Sequence, residues 1–126
     1  MLIIDSGGVT RLAERSPRAL AIIRALRDDG LWPPVAPTVV LVESLHGHSG
    51  RDSTTNRFLK TCVIDAVVTE STARRAAGLR RRARHGSAVD AVVVALAEPG
   101  GTVLTGDKAD ITALAAHAHE VTVETI

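Results

Sequence analysis

The chain has 126 residues and a mass of 13.2 kDa, enough for one domain with a modest core and too little for two. Hydrophobic residues at 45% and charged residues at 23% exclude a disordered or collagen-like polymer, and the longest uncharged apolar run, residues 91–97, is far short of a membrane span. The net charge of +1 hides a split: residues 71–89 hold six arginines and no acid, while the remainder sets nine cationic residues against fourteen acidic ones.

Residues 1–4 form an apolar run that predicts a buried first strand. Asp5-Ser6-Gly7-Gly8 reads as a turn, and residues 9–14 as a short helix. Ser16-Pro17 is a helix start, with serine as N-cap and proline at the first helical position. That helix is expected to run to about Asp29 and stop at Gly30. After the extended Trp32-Pro33-Pro34, residues 35–36 suggest a very short strand closed by Pro37. Thr38 then caps a helix to about Leu45, with a strand over residues 39–42 as the alternative. Residues 47–50 read as a loop, Asp52 or Ser53 as the cap of a helix to Lys60, and residues 62–68 as a strand.

Thr69 precedes a long basic helix over residues 71–85, ended by Gly86; Ser87 caps an apolar helix to about Ala97. Pro99-Gly100-Gly101 turns the chain into a strand at residues 102–105, a helix at 108–117 and a last strand at 120–123. Strands alternating with helices across short connections predict a single α/β domain, residues 1–126, with a central, mostly parallel sheet flanked by helices. In such folds ligands bind beyond the carboxyl ends of the strands.

Composition narrows the chemistry further. One cysteine, Cys62, allows no internal disulfide and no cysteine-based zinc cluster, and nothing demands an oxidising compartment. No basic segment leads into a long apolar one at the start, so no leader is expected and the cytoplasm is the expected location. Trp32 and Phe58 are the only aromatic residues, which argues against binding that stacks bases on aromatic platforms. The histidines 46, 48, 85, 117 and 119 show no ligand spacing and are expected on loops or the surface.

The informative pattern is where the acids fall. Asp5 follows the first strand directly, and Asp107 follows the 102–105 strand by one glycine. Glu43 closes the apolar run 39–42. Asp90 sits among Ala88, Val89, Ala91 and Val92, where no polar face is evident, so it is expected to be buried. Three of them have a plain structural explanation: Asp5 and Asp107 as caps, Glu43 as an exposed helix residue. Jointly the four suggest oxygen ligands around a hard divalent cation.

These residues carry a resemblance. Leu2-Ile3-Ile4-Asp5-Ser6, Val42-Glu43, Ser87-Ala88-Val89-Asp90-Ala91 and Leu104-Thr105-Gly106-Asp107-Lys108-Ala109-Asp110 recur in the order and spacing of PIN-domain ribonucleases. The chain most resembles VapC-type toxins of toxin–antitoxin pairs, over essentially its whole length. The resemblance implies that Asp5, Glu43, Asp90 and Asp107 form an acidic quartet holding Mg²⁺ or Mn²⁺. It places Ser6 and Thr105 as small polar residues beside the quartet, with Asp110 as a candidate auxiliary acid. It implies an endoribonuclease that activates water on a metal, a cognate antitoxin, and a homodimer. Gly7-Gly8 departs from the family's usual small-polar-then-apolar pair, which puts the geometry of the first active-site turn in question.

An acidic site repels RNA, so a cationic surface must attract it. Arg74, Arg75, Arg81, Arg82 and Arg84 are the candidates for phosphate contact, because guanidinium pairs well with phosphate. A solvated charged face and an acidic partner protein are the competing readings. Two other functions stand beside the nuclease. One is a catalytically inactive PIN-like module that binds RNA or a partner. The other is a haloacid-dehalogenase-type phosphatase, whose first motif wants a second aspartate where Gly7 stands.

Overall fold

A computed structural model describes all residues, 1–126. Five strands, all parallel, form one sheet: β1 (Leu2–Ile4), β2 (Val35–Pro37), β3 (Val63–Asp65), β4 (Thr102–Thr105) and β5 (Thr122–Thr125). Their order across the sheet is β3-β2-β1-β4-β5, with Ile3 opposite both Val35 and Val103. The apolar runs Leu-Ile-Ile and Thr-Val-Leu-Thr take the centre because their side chains are covered on both faces. The edge strands β3 and β5 are largely exposed.

Seven helices make the crossovers: α1 (Ser6–Ala13), α2 (Pro17–Asp28), α3 (Thr38–Ser44), α4 (Ser53–Leu59), α5 (Glu70–Ala83), α6 (Ala88–Ala97) and α7 (Lys108–Ala115). Helices α2, α3 and α4 each pack on α1, or on β2, in one layer; α5, α6 and α7 pack on one another in the other. Right-handed crossovers account for this, since the chain moves outward from β1 through β2 to β3, then returns to the far side of β1 as β4. Ile3, Ile4, Leu12, Val40, Val93, Val94, Val103 and Leu114 are sealed in the core between. No helix is long and apolar enough to cross a membrane.

Several boundaries differ from the sequence reading, each for a local reason. Residues 5–8 are not a turn: Asp5 caps α1, its carboxylate accepting the Gly8 amide at 2.7 Å, and the helix starts at once. Gly7 and Gly8 serve close packing, not unusual backbone angles. A Cβ at Gly8 would stand 2.7 Å from both Ile4 Cγ1 and the Leu104 carbonyl oxygen. Pro37, with no side-chain bond to give, is the N-cap of α3 in place of Thr38. Strand β3 ends at Asp65 because that side chain accepts the Val67 amide and turns the chain away. Helix α5 ends at Ala83, and Arg84 itself takes the left-handed conformation (φ 55°) before Gly86 does so again. Strand β5 lies two residues later than the sequence pattern places it.

Asp52 stands at the N-cap of α4 but does not cap it. Its buried carboxylate turns back to accept the amides of His46, Gly47 and His48 and meets the His46 ring at 3.1 Å. The His46 amide above all, against desolvation, holds this acid below its ordinary range. The residue organises the 46–52 loop.

Candidate functional site

Strand order reverses between β1 and β4, so their carboxyl ends flank the one crevice that crossovers leave open. The acids gather there. Asp5 follows β1, Thr105 ends β4, and Asp107 caps α7 two residues on, its carboxylate accepting the Ala109 amide at 3.2 Å. Glu43 comes from the last turn of α3 and Asp90 from the first turn of α6.

Asp5 is 4% exposed. One oxygen accepts the Gly8 amide; the other accepts the Thr105 hydroxyl. That hydroxyl also accepts the Asp107 amide and faces the Asp107 carbonyl, both at 2.9 Å. A threonine has one hydroxyl hydrogen, and here two acceptors compete for it: the Asp5 carboxylate and the Asp107 carbonyl. Burial pushes Asp5 above its ordinary range. The Thr105 hydroxyl and the Gly8 and Gly106 amides pull it back, and the charge of Asp90 adds to the rise. Glu43, although exposed, is raised by partial desolvation and then by the charges of Asp90 and Asp5. Asp5 and Glu43 therefore both feel the charge of Asp90.

The sequence reading has Asp90 buried without a polar neighbour, and the structure corrects it. The residue is half-buried, and its surroundings are not wholly apolar. It forms a capping box with Ser87, accepting the Ser87 amide at 2.9 Å while the Ser87 hydroxyl accepts the Asp90 amide at 3.1 Å. One carboxylate oxygen is left over. Asp107 is exposed and capping, as its plain structural explanation has it. Ser6 lies in the first turn of α1, half-buried, with its carbonyl accepting the Thr10 hydroxyl. Asp110 lies in the first turn of α7, its carboxylate 3.9 Å from the His85 ring nitrogen Nδ1.

The acids adjoin without closing on one point: no three of the carboxylates, histidines and Cys62 form a ready cage for an ion. In donor type and charge the set suits a hard cation, which would offset the repulsion that adds to the burial-driven rise of Asp5 and Glu43. Sequence reasoning missed Gly8, whose amide positions Asp5. It also missed Ser44, a buried hydroxyl without a hydrogen-bond partner beside Glu43. The Gly-Gly pair signalled the first; nothing signalled the second.

The arginines divide. Arg74 pairs with Glu70, one residue outside the acid-free window. Arg75 grips both oxygens of Glu98 at 2.7 and 2.9 Å and donates to the His117 carbonyl, tying α5 to the end of α6 and the turn after α7. Arg81, Arg82 and Arg84 have no acidic partner and, with Gly78, line a shallow depression that holds no hydrophobic residue. Arg84 lies outside the helix, which ends at Ala83 and not at the expected residue 85.

Arg75→Lys is expected to destabilise the protein by about 1–2 kcal/mol, between exposed-pair and buried-pair values, because an ammonium cannot reproduce the fork. Arg75 holds Glu98 below its ordinary range. The contribution is therefore full above pH 4.5 and is lost as pH falls through the folded value. Thermal melts of both proteins from neutral to acid pH should converge. No family model and no curated protein matches this sequence.

Proposed function

We propose that the protein is a metal-dependent endoribonuclease of the VapC-like toxin kind, acting in the cytoplasm as a homodimer and neutralised by a cognate antitoxin protein. The observation that carries this reading is the gathering of Asp5, Glu43 and Asp90 at the β1–β4 switch point, with the first two raised by burial and by their acidic neighbours. Asp5, Glu43 and Asp90 would hold Mg²⁺ or Mn²⁺, with Asp107 at the rim. When bound, the ion supplies Lewis-acid activation of water and of a phosphate oxygen. The chain's own residues do the rest. Gly8 and Thr105 fix the Asp5 carboxylate, the Ser87 box fixes Asp90, and a free carboxylate oxygen can take the proton of an attacking water. The depression of Arg81, Arg82 and Arg84, which no acid lines, would receive the RNA backbone.

The test is cleavage of a labelled structured-RNA pool with Mg²⁺ or Mn²⁺, with and without EDTA, by the wild type and Asp90→Asn. Asparagine keeps an oxygen for the Ser87 amide, so the helix cap survives. Cleavage that needs the metal and disappears in the variant supports the reading. Folded protein that binds RNA and never cleaves it favours the inactive RNA-binding module.

Binding makes its own prediction. Replacing Arg81, Arg82 and Arg84 singly by glutamine should lower the slope of log K against log salt by about 0.7–0.9 for each phosphate that is no longer neutralised. Filter binding across a salt series measures it. An unchanged slope would remove that arginine from the interface.

A further inference from the structure

The two edges of the sheet differ. Strand β5 carries Thr-Val-Glu-Thr, a polar edge that water satisfies. Strand β3 carries Val63-Ile64-Asp65 and pairs with β2 alone. Seven large apolar residues are exposed in this protein, and three of them, Val63, Ile64 and Val67, lie on β3 or just after it. Successive side chains of a strand point to opposite faces. Val63 is 50% and Ile64 43% exposed, so neither layer of helices covers β3.

The main chain is open there as well. The Val63 amide donates inward, to the Pro34 carbonyl at 2.9 Å. Alternation along the strand then turns the N–H and C=O of Ile64 outward, away from β2. Neither proline nor lysine, the usual guards of an edge, occurs within residues 61–69. The β-branched Val63 and Ile64 favour a further pairing.

The charges on either side of the strand identify its occupant. Residues 53–62, before it, hold Arg57 and Lys60 and no acid; residues 65–73 hold Asp65 and Glu70 and no cation. Arg57, Lys60 and Asp65 take part in no ion pair, and Glu70 meets only the exposed Arg74. An antiparallel strand of the same sequence lays the cationic flank of each copy along the acidic flank of the other. A parallel one would set like charge against like.

We infer that β3 pairs antiparallel with β3 of a second copy about a two-fold axis at Ile64, joining the two five-stranded sheets into one. The two Ile64 residues exchange their outward N–H and C=O bonds on the axis, and Val63 of each copy stands opposite Asp65 of the other. The strands of the two copies then run in opposite directions, so the two acidic crevices open at opposite ends of the joined sheet. The nuclease reading leaves its dimer unplaced; this inference rests on the edge strand and not on the acids.

Sedimentation equilibrium in EDTA, without RNA, tests the pairing apart from any cleavage. The wild type is expected to show a reversible monomer–dimer equilibrium. Ile64→Lys, at an exposed position, should raise the dimer dissociation constant at least about tenfold, because it sets two ammonium groups against each other on the axis. Lys60→Glu should weaken the dimer and reduce its sensitivity to salt. Circular dichroism checks the fold of both variants. Cα atoms of such a hydrogen-bonded pair lie about 5.5 Å apart, within disulfide reach. Cys62→Ala/Ile64→Cys should therefore cross-link to a dimer under mild oxidation, and Cys62→Ala/Val42→Cys, also exposed but on α3, should not. Three results would overturn the proposal: a wild type that stays monomeric up to its solubility limit, a dimer that Ile64→Lys leaves unchanged, or equal cross-linking of the two cysteine variants.

Discussion

Asp5→Asn is expected to abolish the proposed metal-dependent RNA cleavage, by at least about 10²-fold, and yet to raise the melting temperature in EDTA at neutral pH. The two effects have one cause. Burial raises the Asp5 carboxyl above its ordinary value of 3.8, so the native state keeps a proton that the unfolded chain releases. Stability is therefore full below the ordinary value and falls as pH rises through the folded one. At pH 7 the ionised, desolvated carboxylate opposes folding. Asparagine removes that charge at the same size. Its carbonyl still accepts the Gly8 amide, and its amide donates to Thr105 Oγ1, which frees the threonine hydrogen for the Asp107 carbonyl. The competition for a single hydrogen disappears. Melts at pH 4 and pH 7 distinguish this from generic stabilisation, because the gain should be small at the lower pH. A variant that is inactive and less stable would mean that Asp5 is chiefly a helix cap.

Gly8→Ala is expected to destabilise the protein by about 1–3 kcal/mol, the usual range for overpacking. Alanine by itself favours a helix by about 1 kcal/mol over glycine, so the sign depends on the space available. There is none. The added Cβ would lie 2.7 Å from Ile4 Cγ1 and from the Leu104 carbonyl, with Asp5 Oδ1 at 3.3 Å. The isoleucine can shift; the carbonyl cannot, since it accepts the Asp5 amide in the central pair of strands. A fall in melting temperature of several degrees should follow, together with loss of cleavage, because the same clash moves Asp5. Gly78→Ala is the control. It lies within α5 with nothing inside 4 Å of its missing Cβ, and should stabilise by about 0.5–1 kcal/mol. A Gly8→Ala variant as stable as the wild type would show that α1 can slide along β1.

Much of the fold was legible in the residues. Ser16-Pro17, Thr69 and Ser87 start helices where their side chains predict, and the apolar runs at both central strands are strands. The signals are local: a side-chain oxygen facing amides three residues ahead, or a short run that only a sheet centre can bury. Where sequence and structure part, a local signal had two uses. The Gly7-Gly8 pair looks like a turn and is a helix start pressed against β1 and β4. Asp52 looks like a cap and closes the preceding loop.

The site was legible in part. Its acids could be located at strand and helix ends, because position along the chain sets which end of a parallel strand a residue follows. Their relations could not. The Ser87 box that shields Asp90 is local, but that Asp5 accepts the Thr105 hydroxyl at a separation of 100 residues, and that the charges of Asp5 and Asp90 raise the proton affinity of their acidic neighbours, depend on which strands became neighbours. The basic helix shows the same division. Six arginines without an acid are written in the sequence, but Glu98, 23 residues from Arg75, takes one of them out of the free set. The sequence by itself determined the element types, the α/β layering and the placement of acids at element ends, since these follow from period, capping and burial within a few residues. Only the tertiary structure decided the strand order and the long-range partners of the charges, because those rest on contacts between segments whose spacing along the chain carries no record of their distance in space.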